Sequence, residues 1–479
     1  MKRLLFVLCV LYSFCASAAV YNVKDFGAKG DGITLDTKAF NDAIAKASQD
    51  GGGTVLIPSG QYLCKSFRLA SHVHLYIEKG AVVIAAEGEG YDSPEPNEFD
   101  MYQDYGHSHW MDSLIWGIGL EDITISGDGM IYGRGLSAMD LPNTTRGNKT
   151  ISLKLCKNIT IRDISMLQCG HFALLATGVD NLSIYNVKVD SNRDGFNIDC
   201  CKNVRISNCS MNTPSDDAIV LKATYSLGYF RDTENVTVSD CLVSGYEQGS
   251  LLKATWDNNV AEKNDHVTWR RIPTGRIKLG TESSGGFKNI AVSNCIFDNC
   301  RGLAIESVDG GHLEDMVVSN ITMRNCKSGP IFLRLGARQR SPKGTPLGTL
   351  KRVLISNVNV FNAVSDNCST LAGIPGAYIE DVVLSNIHIW SEGGGTAEDG
   401  KRQPKEEIES YPEPGMFGVT PAKGLYIRHA KNITFRDVNF HFLKPDYRPL
   451  IVEEDTEAIQ YDGVTVDYRP IQSSDIDKR

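Results

Sequence analysis

One short phrase recurs along the chain at the same point of a repeating unit. It reads KNITIRDI from Lys157, DNLSIYNV from Asp180, KNVRISNC from Lys202, ENVTVSDC from Glu234 and KNIAVSNC from Lys288. It continues as EDMVVSNI from Glu314, KRVLISNV from Lys351, EDVVLSNI from Glu380 and KNITFRDV from Lys431. Each copy alternates apolar and polar residues, as a half-buried strand does, and then reaches an Asn or Asp where a turn is favoured. The closest copies start 22 or 23 residues apart, and wider gaps, such as 234 to 288, are a rung plus an inserted loop. A period in the low twenties with one recurring strand is the signature of a solenoid. Helical periodicity is nearly absent outside residues 36–48, so the expected fold is all-β, a single-domain parallel β-helix.

The register of the phrase assigns its cysteines and asparagines. Cys209, Cys241 and Cys295 occupy its last position, which is Ile164, Val187, Ile321, Val358, Ile387 or Val438 in the other copies. A slot filled by aliphatics or cysteine is a core slot, where cysteine behaves as a small hydrophobe. Cys200 and Cys201 are adjacent, point to opposite strand faces and form no metal motif. The sequons at Asn208 and Asn320 place their asparagines in the turn slot also held by Asn186, Asn294, Asn357 and Asn386. Stacked asparagines can hydrogen-bond along a solenoid, so these sequons are by-products of the repeat.

The ends are distinct. Lys2 and Arg3, the apolar run Leu4 to Phe14 and the small residues Ala16-Ser17-Ala18 read as a secretory signal over 1–18. Export to the periplasm or outside medium follows, with no membrane insertion once the signal is removed. Two of the 13 cysteines leave with it. Residues 19–466 form the solenoid, capped at its start by an amphipathic helix over Thr37–Ala47, and 467–479 form a polar tail. Residues 391–425, rich in Gly, Pro, Glu and Lys, are a late loop. Net charge of −9 excludes a general nucleic-acid or anionic-membrane binder. A monomer is expected.

Two adjacent rungs carry the polar cluster of interest, residues 191–199 and 212–220. Asp194 and Asp216 are 22 residues apart, one rung in this register, and neighbouring strands lie about 4.8 Å apart, so the two should sit side by side. Asp217 follows directly. Three carboxylates this close repel, so one pKa should rise and leave a protonated acid near neutral pH. A raised acid beside ionised partners suits glycosidic cleavage, in which one group protonates the leaving oxygen and another activates water. As turn residues these aspartates would be unremarkable, but Asp216 and Asp217 lie beyond the turn slot of their rung, and no other copy has a doubled Asp.

NVKDFGAKGDG at 22–32 with GGGTVLIPSGQY, SLIWGIGLEDITISGDGMIYGRG at 113–135, NRDGF at 192–196, SDDAI at 215–219 and GTESSGG at 280–286 resemble glycoside hydrolase family 28. That family contains polygalacturonases and rhamnogalacturonan hydrolases. The resemblance implies a right-handed, pectin-lyase-like β-helix, an inverting mechanism without cofactor or metal, and a pectic polysaccharide or oligosaccharide as partner. Carried over by position, Asp216 is the general acid, Asp194 and Asp217 hold and activate the water, and Asn192 orients the cluster. Lys222 would lie along the cleft and meet a uronate carboxylate.

The departures from the family pattern bear on substrate. Arg193 replaces the middle residue of the Asn-Thr-Asp element. The Gly-His-Gly element is expected around Gly280-Thr281-Glu282, without its histidine. The carboxylate-binding Arg-Ile-Lys is expected at Ala304-Ile305-Glu306, without either basic residue. Arg276-Ile277-Lys278 precedes the GTESSGG turn and is set aside as that element. Glu282 and Glu306 then offer acceptors for neutral sugar hydroxyls, which suits a substrate mixing galacturonate with rhamnose or another neutral sugar. Arg193, Arg276, Lys278, Arg334 and Arg338 are candidate replacement cations, and His171 is expected to line the cleft. His107, His109, Trp110 and Trp116 would form a sugar-stacking wall, and the 225–275 insertion would wall one side and favour chain-end attack. Two alternatives use the same solenoid: a calcium-dependent pectate-lyase-type elimination enzyme and a non-catalytic carbohydrate-binding solenoid.

Overall fold

The computed structural model of the chain describes residues 19–137, 148–258 and 272–479. The expected signal segment 1–18 lies outside the described residues, as does part of the 225–275 insertion. The architecture is the expected parallel β-helix, and its pairings are parallel throughout apart from a final antiparallel pair, Thr465–Val466 with Arg469–Pro470, and two isolated bridges. The capping helix runs Thr37–Gln49 and buries Phe40, Ala43, Ile44 and Ala47 against the first rungs. Among the described residues no helix is long and apolar enough to cross a membrane.

Each rung has three faces. The phrase strands stack as Lys157–Arg162, Asp180–Tyr185, Lys202–Ser207, Thr233–Ser239 and Phe287–Ser293, and then as the first halves of longer strands. A short strand follows each one, such as Lys188–Asp190 or Ser210–Asn212. The third face stacks Phe172–Thr177, Asp194–Asp199, Ile219–Ala223, Ile277–Ser283, Leu303–Ser307, Ile331–Leu335, Ser369–Ala372 and the start of Leu425–Phe442. We call this the site face.

The phrase has two corners, of which the repeat alone exposes one. Its second position (Asn158, Asn181, Asn203, Asn235, Asn289) and its seventh (Asn186, Asn208, Asn294, Asn320, Asn357) both take φ between 51° and 58°. Asn and Asp tolerate this left-handed conformation better than other residues with a Cβ, because their short side chains hydrogen-bond locally. Both columns form amide ladders: Asn181 donates to Asn158 and Asn289 to Asn235 in one, and Asn320 to Asn294 and Asn357 to Asn320 in the other. Cys209, Cys241 and Cys295 lie in the continuous apolar core, and all eleven described cysteines are buried and free. Within residues 467–479, Ile476–Lys478 adds a parallel strand to Ile451–Asp462.

Candidate active site

The three aspartates sit where the chain turns from the short strand onto the site face. Their placement differs from the expected side-by-side pairing of Asp194 with Asp216. Asp190 aligns with Asn212, but Phe196 aligns with Ile219, so the upper rung has gained one residue between those points. That register brings Asp217 level with Asp194, with Gly195 N donating to Asp217 O at 3.0 Å. Asp216 is the extra residue, held in a turn by its N–H on Thr213 O. Gly195 is required here, because a Cβ would stand 2.1 Å from Met211 Cε and 2.3 Å from Ala218 O.

The carboxylates converge despite the shift. One oxygen from each of Asp194, Asp216 and Asp217 lies within 4.8 Å of the others, and the residues are only 5%, 7% and 4% exposed. Burial, and then the neighbouring Asp216 carboxylate, push Asp194 up to about 8; Arg193 and Lys222 pull in the opposite direction without prevailing. The expected raised acid is therefore present, and the group that carries the shift is Asp194. Such a cluster titrates as a unit that shares its proton.

Cations surround the cluster. The Arg193 guanidinium is 3.3 Å from Asp216 and 3.7 Å from Asp194. Arg276 Nε donates to Asp217 Oδ1 at 2.9 Å, and Lys278 Nζ stands 3.9 Å from Asp217. Asn192 Oδ1 and Arg193 Nε are shielded from solvent and have no hydrogen-bond partner among the described residues. Lys222 is paired with Glu282; burial alone would lower it, but Glu282 and Asp194 together hold it above its ordinary value.

Several expectations are displaced. The residues beside Asp216-Asp217 on the next rung are Thr274–Arg276, with Ile277 level with Ile219, rather than Gly280–Glu282. The set-aside Arg276-Ile277-Lys278 thus supplies the basic groups at the cluster, one rung before the position where the family pattern puts them. Glu282 is not open to a sugar hydroxyl: Lys222 and Arg338 engage it, and Lys222, His107 and Arg338 hold its carboxyl well below the usual range against its burial. Glu306 is fully buried, with Lys278 at 3.1 Å, and burial raises it to about 7. Arg334 is also fully buried and donates to the backbone oxygens of Gly373, Glu406 and Glu407, so it does not face the cluster. His171 is buried against Phe172, with rings 4.2 Å apart.

The proposed aromatic wall is mostly packing. Trp110 is fully buried on Thr177, Trp116 donates to Asp92, and His109 is held by Glu95 O and Asp100. His107 alone lies near the site, where Asp104, His107 and Glu282 come together. The start of the 225–275 insertion packs on the preceding loop, Tyr225 against Phe99 and Tyr102.

The groups that the sequence does not announce come from the 391–425 loop. Segment 404–413 runs back along the solenoid axis over the site face. Arg428 holds Lys405 O at 3.1 Å and Glu406 at 2.5 Å, Arg334 holds Glu407 O at 2.8 Å, and Ala337 N donates to Ile408 O. Its end reaches the cluster, where Glu413 takes Arg276 at 2.6 Å and Arg301 at 2.8 Å and the Tyr411 hydroxyl meets Lys278 Nζ at 3.3 Å. From Arg428 back to Arg276 is four strand steps, about 19 Å. On the other flank Arg340 pairs with Asp104 at 2.9 Å beside Glu282, joining two loops that start on distant rungs.

A family model described as "Rhamnogalacturonase A/epimerase, pectate lyase-like" matches residues 20–77, and one described as "Right handed beta helix region" matches 143–266. A probable polygalacturonase of Vitis vinifera is 26% identical over 399 residues, covering 77% of this chain and 74% of that protein. Among solved structures, a family 28 exopolygalacturonase of Yersinia enterocolitica aligns with a TM-score of 0.67 at 18% identity, over 95% of this chain and 80% of its own. An exopolygalacturonase of Thermotoga maritima aligns with a TM-score of 0.63 at 17% identity, over 88% of this chain and 91% of its own. At these identities the solved structures speak to the fold, and function has to be argued from the site.

Proposed function

We propose that this chain is a polygalacturonase-like glycoside hydrolase of family 28 and that it cleaves α-galacturonosyl linkages of pectic chains by inverting acid/base hydrolysis after export. The carrying observation is the buried Asp194–Asp216–Asp217 cluster, in which one carboxyl is raised to about 8 while cations flank the others. The proton that the cluster holds at rest on Asp194 is shared with Asp216, which gives it to the glycosidic oxygen as the bond from that oxygen to the anomeric carbon breaks, leaving Asp194 ionised. Asp194 and Asp217 hold a water whose oxygen bonds to that carbon, and its released proton returns to the cluster. The cluster thus ends each turnover with the proton count it began with.

The flanking charges favour a uronate substrate. Arg193 beside the cluster and Arg340 beside Glu282 retain solvent exposure and can exchange their carboxylate partners for a sugar carboxylate. Glu282 and Glu306 are engaged by lysine and arginine, which removes the earlier ground for expecting a neutral sugar at those positions. Segment 404–413 occupies the site face on one side of the cluster, where an extended chain would otherwise continue, so attack at chain ends is the proposed mode.

Reducing ends and unsaturated products would be followed on homogalacturonan and rhamnogalacturonan, with and without chelator. The wild type should release reducing ends from homogalacturonan without ultraviolet-absorbing products, and Asp216→Asn should lose at least a hundredfold in kcat. Unsaturated products that vanish with chelator would establish the eliminating enzyme instead, and full activity in Asp216→Asn would remove the assigned acid.

A further inference from the structure

We infer that Glu413 is a positioning residue: it reaches back from the 404–413 segment and fixes Arg276 against Asp217. The inference rests on the hydrolytic reading of the three aspartates. Arg276 is buried and spans the two carboxylates, with Nε on Asp217 Oδ1 at 2.9 Å and its two terminal nitrogens on Glu413 at 2.6 and 3.2 Å. A guanidinium presents its donors in a rigid planar fork, so a carboxylate gripping the terminal nitrogens also sets where Nε points. Arg301, at 2.8 Å from Glu413, holds that carboxylate from a third direction. Tyr411 on the same segment meets Lys278, which lies 3.1 Å from Glu306 and 3.9 Å from Asp217.

The segment is itself anchored on the site face. Arg428 and Arg334 bind its backbone carbonyls in turn, and a glutamate carried on an unanchored loop would hold Arg276 only intermittently. Asp217 therefore owes its orientation to a residue 196 positions later in the sequence. Glu413 also contributes charge. Arg276 and Arg301 more than overcome its burial and hold it down to about 2, so it is an anion throughout the working range. Neutralising it leaves the Arg276, Arg301 and Lys278 group more positive, and that favours the ionised forms of the aspartates.

The geometric and charge contributions separate in two variants. Glu413→Gln removes the charge and one strong acceptor. It should lower kcat on the order of tenfold to a hundredfold, as small misplacements of catalytic groups do. It should also move the alkaline limb of the pH–rate profile acidward by roughly half to one and a half units, the effect of removing one charge one guanidinium away from the cluster in a partly screened interior. Glu413→Asp keeps the charge but loses the reach, so kcat should fall while the limb stays in place. Titrating the aspartate carboxyl carbons of the unliganded proteins by NMR reads the same shift without turnover. If Glu413→Gln does not fold, Glu413→Asp decides alone, and wild-type kcat in that variant overturns the inference. An unmoved limb in Glu413→Gln with kcat within twofold of wild type also overturns it, as does a fall in kcat that merely follows lost thermal stability. Failure of the hydrolytic reading would show separately, as undiminished cleavage by Asp216→Asn.

Discussion

Replacing Asp194 by asparagine should stabilise the fold at neutral pH while abolishing turnover. In the folded protein Asp194 titrates near 8, because burial and the Asp216 carboxylate disfavour its charge, against the 3.8 of an aspartate in open solvent. Between those values the folded protein retains a proton that the unfolded chain has released. Stability from this group is therefore fully present below about 4 and is lost as pH rises towards 8. At pH 7 about three units of that window have been crossed, an opposition to folding of roughly 4 kcal/mol. Asparagine keeps the shape and has no proton to lose, but its amide must replace the hydrogen bonds of a protonated carboxyl, so a net gain of about 2–3 kcal/mol is expected. For a chain of this length that is about 2–3 °C in the unfolding midpoint. Scanning calorimetry of both proteins at pH 5, 7 and 8.5 measures it. The wild type should lose stability relative to Asp194→Asn as pH rises, with the two curves crossing at about pH 5 and the wild type the more stable below it. A less stable asparagine variant with an unchanged pH slope would refute the reasoning, because Asp194 would then be an ionised, well-paired carboxylate.

Two further outcomes test the repeat. Cys241→Val should cost less than about 1.5 kcal/mol, since the slot holds valine in other rungs, whereas Cys241→Ser should cost about 1–3 kcal/mol by burying a hydroxyl in the apolar core with the Ser239 carbonyl as its acceptor; denaturant unfolding distinguishes them. Asn320→Ala should cost about 1–2 kcal/mol, because alanine resists φ near 57° and the amide ladder to Asn294 and Asn357 is cut. Asn320→Gly should recover part of that loss in the same unfolding measurement.

The repeat made the fold legible because strand alternation, corner residues and core slots recur in one register, so each copy corroborates the next. The second corner of the phrase was less visible: its column mixes Asn158 and Asn203 with Asp315 and Arg352, and only the backbone shows that all four adopt the same conformation. The aspartate cluster was legible as a doubled Asp breaking the pattern, but its register was not. One residue added between Asn212 and Ile219 exchanges which aspartate faces Asp194, and a spacing of 22 in the sequence cannot locate that insertion. The same limit hid the role of Arg276 and Lys278, since the long insertion before them concealed that they open the very next rung of the site face. Glu413 and Tyr411 had no signal at all. They reach the site from a loop without strand periodicity, and only the arginines beneath that loop show where it lies.

The central claim is that these carboxylates deliver water to a galacturonosyl carbon. Brief digestion of homogalacturonan in water enriched in oxygen-18, with products read by mass spectrometry, tests it most directly. One heavy oxygen at each new reducing end, on saturated products, is the predicted result. Unlabelled reducing ends paired with unsaturated products would contradict it, because elimination leaves the bridging oxygen in place and takes none from solvent.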